Sequence, residues 1–290
     1  MSAQTASTTP RSRRRPSDPA ATEYTAEGAD KFALYEMAVQ SAGAELEFIE
    51  SIYRRRYGRL PRVIREDFCG TANISAHWVV RRPKNVAYAV DLDPTVLDWA
   101  RSHHESRLTT KQRERLHLLQ GDVLEVDTEP VDIVQAMNFS YFIYKTRRDL
   151  LRYFQTARSR LQPKGLFIVD CYGGYDAQDL IEEERPCDGF NYVWDQAQYN
   201  PVTNETKCFI HFEFPDGSKI ERAFTYDWRL WTLAEIRETM EEAGFDRTKV
   251  YWEQVDPKTG EGNGIFKPTE TGEVCPGWVA YVVAEPAEST

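Results

Sequence analysis

The sequence lacks several features that would assign it to other classes of protein. It contains no G-x-G-x-x-G run, no C-x-x-C pair and no apolar run long enough to span a membrane. Its first residues also lack the charged segment followed by an apolar segment that marks a secretory signal. These absences argue against a membrane protein and a secreted protein, and we expect a cytoplasmic one.

Cysteine is scarce, and its pattern predicts free thiols. The chain has 5 cysteines, an odd number, and no two have the spacing of a zinc-binding pair. The 5 histidines likewise lack metal-site spacing with Cys, Asp or Glu. We therefore expect no metal and a reducing compartment.

Positive charge is in deficit, with 36 Lys and Arg against 46 Asp and Glu and a net charge of −10. Because phosphate binding needs clustered cations, this composition argues against a nucleic acid as the main partner. Four arginines do cluster at positions 11–15, within a stretch rich in Ser, Thr and Pro. We interpret residues 1–22 as a disordered tail in which these charges are solvated.

The rest of the chain reads as an α/β domain, because short apolar strands alternate with helices from residue 61 onward. The predicted strands are 63–67, 86–91, 116–120, 133–137 and 166–171, and the predicted helices are 73–82, 94–104 and 146–161. Such alternation is typical of a parallel sheet covered by helices on both faces.

Two regions depart from this alternation. Residues 30–57 read as two helices around 41–43, and residues 188–229 alternate apolar and polar side chains as antiparallel strands do. We therefore divide the chain into a tail (1–22), a helical lid (23–60), an α/β domain in two pieces (61–187 and 230–290) and a β insertion (188–229). A helix at 232–243 begins with the capping-box pair Thr232 and Glu235. Two final strands, 249–255 and 278–284, are joined by a polar loop at 256–276.

The stretch from Val63 to Asp93 predicts a nucleoside-binding unit. It reads as strand, tight turn, helix and strand, and an acidic residue closes the second strand. Gly70 and Asp91 lie 21 residues apart, close to the spacing at which an acidic side chain accepts hydrogen bonds from ribose hydroxyls. Ligands of open α/β sheets bind at this carboxyl edge of the strands.

The turn from Glu66 to Ala72 resembles motif I of the class I S-adenosylmethionine-dependent methyltransferases, whose pattern is acidic-x-Gly-x-Gly-x-Gly. Glu66 takes the acidic place, Phe68 stands where the first glycine would be, Gly70 is the central glycine and Ala72 stands at the last. Similar matches follow in order at 91–101, 120–123, 131–134, 161–167 and 231–245. The resemblance covers about residues 60–285 outside 188–229 and 256–276.

The resemblance implies a Rossmann-like, seven-stranded, mostly parallel sheet with helices on both faces and an antiparallel last strand. The β insertion would form a lid. It also implies S-adenosylmethionine as the cofactor, with Asp91 on the ribose and Asp122 near the adenine, while Glu66 either binds the cofactor or braces the turn. The implied cofactor-binding residues are Glu66, Phe68, Cys69, Gly70, Ala72, Asp91, Leu92, Asp122, Val123, Met137 and Asn138.

Candidate acceptor residues lie in the lid regions and after the fourth strand. They are Tyr35, Tyr141, Arg222, Tyr226 and Trp228, and the candidate catalytic residues are His211 and Tyr141. Alternation places Arg222 on one face with Phe224, Tyr226 and Trp228, where it would anchor an anionic or aromatic acceptor. Four of these candidates have a plain alternative: a bracing helix for Tyr35, a surface ion pair for Arg222, a solvent-facing position for His211 and core packing for Trp228.

The function predicted from these features is direct, in-line methyl transfer to a nitrogen, oxygen or carbon atom of a small molecule by a monomer or homodimer. Because the methyl donor is already activated, the protein mainly supplies alignment. A protein or RNA methyltransferase is the alternative within the class. A nicotinamide-dependent oxidoreductase and a non-catalytic S-adenosylmethionine-binding subunit are the alternatives from other classes.

Overall fold

The computed structural model describes residues 24–258 and 262–287, so the predicted tail at 1–22 lies outside the described residues. The helices are α1 Lys31–Val39, α2 Ala42–Tyr57, α3 Asn73–Arg81, α4 Pro94–His103, α5 Thr110–Arg113, α6 Arg147–Ser159 and α7 Leu233–Glu242. The strands are β1 Val63–Asp67, β2 Val86–Asp91, β3 Leu116–Gln120, β4 Val131–Ala136, β5 Leu161–Gly173, β6 Glu182–Pro186, β7 Asn191–Asn200, β8 Glu205–Glu213, β9 Lys219–Arg229, β10 Phe245–Val255, β11 Gly262–Thr269 and β12 Trp278–Pro286.

The main sheet has the strand order β11-β10-β12-β5-β4-β1-β2-β3. The five strands from β5 to β3 pair in parallel, and β12 runs antiparallel between β5 and β10. The prediction of a mostly parallel sheet with an antiparallel last strand is confirmed. β1 lies between β2 and β4. The connection from β1 to β2 therefore runs to one side of β1, the connection from β3 to β4 runs to its other side, and a crevice opens between them at the carboxyl edge.

The sheet has one strand more than the seven expected. β11 pairs with β10 inside the segment 256–276, which the sequence predicted as a loop. Its side chains are mostly polar or exposed, and its main apolar contact is the ring of Phe266 against Phe48 and Tyr281. An edge strand with one such contact carries no alternating apolar pattern, so its sequence looked like a loop.

Helices cover both faces of the main sheet. On one face, Leu46 and Ile49 of α2 and Ile74 of α3 pack with Ile64 and Ile133 of the sheet. On the other face, α6 and α7 pack through side chains that include Leu150, Phe154, Ile236 and Met240. The capping box predicted at Thr232 and Glu235 is present and begins α7.

A second sheet, with the order β6-β7-β8-β9, occupies Glu182–Arg229 and is antiparallel throughout. It starts before the predicted boundary at residue 188, because β6 reads Glu-Glu-Glu-Arg-Pro and carries no apolar alternation. α1 packs on one face of this sheet, where Leu34 and Ala38 meet Ile210 and Phe212. At the other end of that face, Trp228 contacts Phe139, which directly follows β4 of the main sheet.

No helix within residues 24–258 and 262–287 combines the length and the apolar character needed to cross a membrane. All five cysteines carry free thiols, as the odd count predicted. Among the described residues, no group of three or more His, Cys, Asp or Glu side chains could hold a metal ion.

Candidate functional site

The turn after β1 adopts a backbone path that glycine favours, although only one of its three key residues is glycine. Phe68, Gly70 and Ala72 have φ angles of 57°, 53° and 56°. The left-handed region costs a residue with a side chain roughly 1–2 kcal/mol. The Phe68 ring packs against Tyr144 and Tyr153, with centroids 6.2 and 5.5 Å away. Thus the motif I turn keeps its conformation despite the substitutions at two glycine places.

Glu66 braces the start of α3 from the end of β1. Its Oε2 accepts hydrogen bonds from the Ser75 amide at 3.0 Å and the Ser75 hydroxyl at 2.5 Å. Burial raises the pKa of Glu66 to about 8, an effect that the Ser75 hydrogen bonds partly oppose. This geometry fits the bracing role that the sequence left open, and it leaves Oε1 for a second partner.

Asp91 connects the ends of β1 and β2. Its carboxylate accepts hydrogen bonds from the Gly70 amide at 2.8 Å and the Asp93 amide at 3.0 Å. Burial raises the pKa of this carboxyl group, and the two amides partly oppose that shift. The next side chain, Leu92, is 69% exposed, so it is accessible to a ligand at this edge.

The end of β3 lies beside Asp91, because the Gly121 amide donates to the Asp91 carbonyl oxygen at 2.9 Å. Asp122 follows as an exposed carboxylate whose Oδ1 accepts from the Leu124 amide at 2.9 Å. Val123 is buried behind it. The residues predicted for the ribose and the adenine therefore lie on neighbouring strand ends.

The end of β4 is fixed by a carboxylate on β5. Asn138 and Phe139 have φ angles of 56° and 58°, and their amides donate to Asp170 at 2.7 and 2.8 Å. Burial raises the pKa of Asp170 to about 7, which these two amides partly oppose. Met137, buried just before the turn, completes the predicted cofactor-binding set at this edge.

Three carboxyl groups converge on the face of the main sheet that α2 covers, and we call Glu45, Glu66 and Asp170 the acidic cluster. Glu66 lies two residues after Ile64, and Asp170 lies two residues after Ile168, so both carboxyl groups share the face of these buried isoleucines. Glu45 lies four residues before Ile49 on α2, on the side of the helix that packs on the sheet. Burial raises the pKa of Glu45 as well. Its negative charge in turn contributes to the raised pKa values of Glu66 and Asp170.

An aromatic surface faces this edge from α1 and the second sheet. We call it the aromatic strip, and it comprises Tyr35, Trp194, Phe224, Tyr226 and Trp228. The ring centroids lie 4.9 Å apart for Tyr35 and Phe224, and 4.3 Å apart for Tyr226 and Trp228. Tyr35 also interacts electrostatically with Asp170 and Glu45, so it connects the strip with the acidic cluster.

Buried polar atoms without a hydrogen-bond partner concentrate at the same edge. Apart from arginine Nε atoms, those found among the described residues are Glu45 Oε2, Thr71 Oγ1, both amide atoms of Gln135, and the Tyr172 hydroxyl. Gln135 is 0% exposed and pairs in register with Glu66. Buried polar groups normally have partners, so this concentration fits a site whose ligand supplies them.

The remaining predicted residues have other positions. Tyr141 is fully buried, and its hydroxyl donates to the Asp170 carbonyl oxygen at 2.8 Å, so it supports the site from behind. Trp228 is also buried, and its ring packs on Phe139 and Phe142. Tyr35 and Tyr226 are only partly buried and belong to the exposed part of the strip.

The predicted face of Arg222 is wrong. In the β8–β9 pair, Ile210 lies opposite Phe224 and Phe212 lies opposite Ile220. β9 therefore has more residues between these two pairs than β8 has, which makes a β-bulge. Arg222 lies in this bulge with a φ of 50°, and its guanidinium carbon lies 4.5 Å from the centroid of Phe209, on the opposite face from the aromatic strip.

His211 shares that opposite face, so the structure does not bring this catalytic candidate to the crevice. Its Nε2 lies 3.4 Å from Asp195 Oδ2, and its Nδ1 accepts from the Arg222 amide at 3.2 Å. Alternation along β8 had placed it with Phe209, and that part of the prediction is confirmed.

Sequence reasoning missed Glu45, Gln135 and Asp170. Glu45 was hidden in a helix with many acidic residues, although its place four residues before Ile49 is a signal that it faces the sheet. Gln135 and Asp170 are polar residues inside runs of buried β-strand side chains, an anomaly that can be read from the sequence.

The fold is of the Rossmann-like type, and the turn after β1 faces the carboxylate of Asp91, which the sequence predicted for a ribose. Residues 67–169 match the family model described as "Methyltransferase domain". No curated protein matches the sequence. The match runs from the last residue of β1 into β5, and it includes the residues predicted for the ribose and the adenine.

Solved structures of methyltransferases share the fold. An S-adenosylmethionine-dependent methyltransferase from Clostridium acetobutylicum ATCC 824 has 17% identity and a TM-score of 0.64, with 89% of this chain and 98% of that chain covered. CalS10 from Micromonospora echinaspora, an amino pentose methyltransferase with bound S-adenosylmethionine, has 14% identity and a TM-score of 0.60, with coverage of 88% and 95%. KedS8 from Streptoalloteichus sp ATCC 53650, a sugar N-methyltransferase, has 17% identity and a TM-score of 0.59, with coverage of 95% and 100%.

Residues 67–169 therefore resemble a methyltransferase domain, and the chain has the fold of S-adenosylmethionine-dependent methyltransferases, as the resemblance implied. These findings favour S-adenosylmethionine over a nicotinamide cofactor. The unpartnered Thr71 hydroxyl, the exposed Leu92 and the carboxylates of Asp91 and Asp122 fit a cofactor with hydroxyl, amino and aromatic groups.

Proposed function

We propose that the chain transfers the methyl group of S-adenosylmethionine directly to a nitrogen, oxygen or carbon atom of a small molecule. The observation that carries this proposal is the cover over the carboxyl edge. α1 and the aromatic strip face the strand ends, and Trp228 contacts the β4 turn at Phe139. A concave site with aromatic walls and a few polar groups suits a small ligand that is largely enclosed.

The chemistry of structural neighbours supports the same acceptor class. One neighbour methylates an amino pentose and another is a sugar N-methyltransferase. The net charge of −10 weighs against an RNA acceptor, because a negatively charged protein repels phosphates.

In this proposal the residues at the four strand ends hold the donor. Asp91 accepts hydrogen bonds from the ribose hydroxyls, and Asp122 accepts one from the adenine amino group. Leu92 and Val123 flank the adenine ring. The turn from Cys69 to Ala72 and the segment at Met137 and Asn138 contact the rest of the donor. Alignment of donor and acceptor is the main catalytic contribution, and it supplies roughly 7–11 kcal/mol in well-oriented reactions.

The test is methyl transfer to a natural mixture of small molecules. Purified protein is incubated with methyl-labelled S-adenosylmethionine and a small-molecule extract of cells that express the chain. We expect a labelled product of low mass, identified by mass spectrometry. Labelling of proteins or RNA in the corresponding macromolecular fraction, with none in the small-molecule fraction, would overturn the acceptor class.

A further inference from the structure

We propose that the acceptor is an organic amine, which binds as its ammonium ion to the carboxylate of Glu45, between the acidic cluster and the aromatic strip. This inference rests on the proposed function, and it adds the chemical class of the acceptor and the residue that recognises it.

The first observation is the state of the Glu45 carboxylate. Its Oε1 accepts one hydrogen bond, from the Ser41 amide at 3.2 Å, whereas its Oε2 is inaccessible to solvent and has no partner. A buried carboxylate oxygen without a partner is costly, because it has lost water and gained nothing in exchange. A cationic donor group is the partner that would stabilise it best.

The second observation is Gln135, which lies in the floor of the same region. It is 0% exposed, neither of its amide atoms has a partner, and it lies next to Glu66 across the β1–β4 pair. Its side chain points to the face that Ile133 shares with α2, which is the face of the acidic cluster. An amide can both donate and accept, so this side chain suits a ligand with amino and hydroxyl groups.

The third observation is the composition of the opposite wall. Tyr35, Phe224 and Tyr226 present aromatic rings, and Tyr35 interacts electrostatically with both Glu45 and Asp170. Aromatic faces attract organic cations, and aromatic cages combined with carboxylates are a common way to bind them. A cation gains more from a carboxylate than a neutral hydroxyl group does, because charge-assisted hydrogen bonds are about twice as strong.

Within the acidic cluster, Glu45 is the group best placed for the acceptor. Glu66 is occupied by Ser75, and Asp170 by the amides of Asn138 and Phe139. Glu45 belongs to α2, outside the turn that holds Asp91. We therefore place the donor next to Glu66 and the acceptor next to Glu45 and Tyr35.

The same carboxylate supplies the proton transfer that N-methylation needs. An ammonium nitrogen has no lone pair, so it must lose one proton before it can attack. Glu45 takes this proton, which makes its carboxylate a carboxylic acid and the acceptor a neutral amine. Bound S-adenosylmethionine supplies a methyl group on a positively charged sulfur. The nitrogen lone pair forms the bond to the methyl carbon while the carbon–sulfur bond breaks and leaves its electron pair on sulfur, and Glu45 later releases its proton to water.

The acceptor class is tested with the small-molecule extract described above, divided into two portions. One portion is treated with a water-soluble acetylating ester that blocks primary and secondary amines and spares sugar hydroxyls. We expect label in the untreated portion and at least a tenfold loss after blocking. Label that survives blocking would overturn the amine and leave the proposed function intact, whereas no label in either portion would contradict both.

The role of Glu45 is tested with Glu45→Gln, and Glu47→Gln, an exposed position on the same helix, is the matched control. With the amine identified from the extract, we expect Glu45→Gln to lower kcat/KM on the order of 10²-fold, as loss of a general base does. The acidic limb of the pH profile should disappear in this variant, and Glu45→Asp should restore part of the activity. Glu47→Gln should match the wild type.

Donor binding separates this role from a structural one. Calorimetry should give S-adenosylmethionine affinities within twofold for the wild type and Glu45→Gln. A tenfold loss of donor affinity in a folded Glu45→Gln protein would place Glu45 in the donor site and overturn the proposal, and so would unchanged amine kinetics.

Discussion

At the scale of single residues, Asp91 does two things at once. Its carboxylate holds the Gly70 amide at 2.8 Å, and it lies at the strand end where a ribose would bind. We expect Asp91→Ala to weaken S-adenosylmethionine binding about tenfold or more, because hydrogen bonds to a charged group contribute roughly 1.5–3 kcal/mol. Isothermal titration calorimetry measures this change.

The control for this variant is Asp98→Ala, which removes an exposed carboxylate of α4 that pairs only with Arg101 among the described contacts. It should leave the donor affinity unchanged. If Asp91→Ala folds and binds the donor as tightly as Asp98→Ala does, the ribose assignment is wrong.

Ala72 tests the conformation of the turn. It is 0% exposed with a φ of 56°, whereas Ala76, four residues later in α3, is 4% exposed and helical. Both Ala→Gly variants lose a buried methyl group. Ala72→Gly recovers roughly 1 kcal/mol of left-handed strain, and Ala76→Gly loses roughly 1 kcal/mol of helix propensity. Ala72→Gly should therefore be more stable than Ala76→Gly by about 2 kcal/mol.

Urea unfolding followed by circular dichroism gives both free energies. Equal destabilisation by the two variants would mean that residue 72 is not held in the left-handed conformation. It would also remove the physical reason for aligning Ala72 with the last glycine of motif I.

At the scale of elements, the attachment of α1 decides how well the acceptor side is covered. Leu34 is 1% exposed and packs with Phe212 and Ala223, whereas Met37 of the same helix is 49% exposed. We expect Leu34→Ala to cost about 2–5 kcal/mol of unfolding free energy and Met37→Ala to change it by less than about 0.5 kcal/mol.

Chemical denaturation of both variants measures this difference. Comparable small effects would show that α1 is not firmly docked on the second sheet. In that case Tyr35 would have no fixed place beside Phe224 and Tyr226, and the enclosed acceptor site would lose its main support.

The elements that the sequence predicted best are those whose apolar pattern is complete. β1, β2 and β3 have the predicted bounds, because each begins with an apolar residue and ends with a polar one that leads into a turn. β6 and β11 were missed because an edge strand can be polar, and its backbone pairing leaves no mark on the side chains.

The candidate site was predictable to the extent that it depends on local motifs. The positions of Gly70, Asp91 and Asp122 follow from their places at strand ends. Arg222 was misplaced because one bulge reverses the alternation for the residues within it. The acidic cluster depends on α2 packing against β1 and β5, and no local pattern encodes contacts between segments so far apart in the chain.

At the scale of the whole molecule, the acidic cluster places three titratable carboxyl groups inside a protein that is already acidic. Burial raises the pKa of Glu66 from an ordinary value of 4.5 to about 8 and that of Asp170 from 3.8 to about 7. Between these limits the folded, ligand-free protein holds protons that the unfolded chain has released. The stability of the ligand-free protein should therefore fall as the pH rises from about 5 to 8.

The variant Glu66→Gln tests this expectation, because a glutamine keeps the shape of the side chain but cannot release a proton. Each unit of difference between the folded and unfolded pKa corresponds to about 1.4 kcal/mol. Relative to Glu66→Gln, the wild type should thus lose free energy of unfolding steadily from pH 5 to pH 8, as measured by urea unfolding at each pH. Because the unfolded carboxyl group is mostly charged over this whole range, the difference between the two proteins reports the folded state alone. A constant difference would mean that Glu66 is already charged in the folded protein at pH 5, and that Ser75 stabilises it more strongly than burial opposes it.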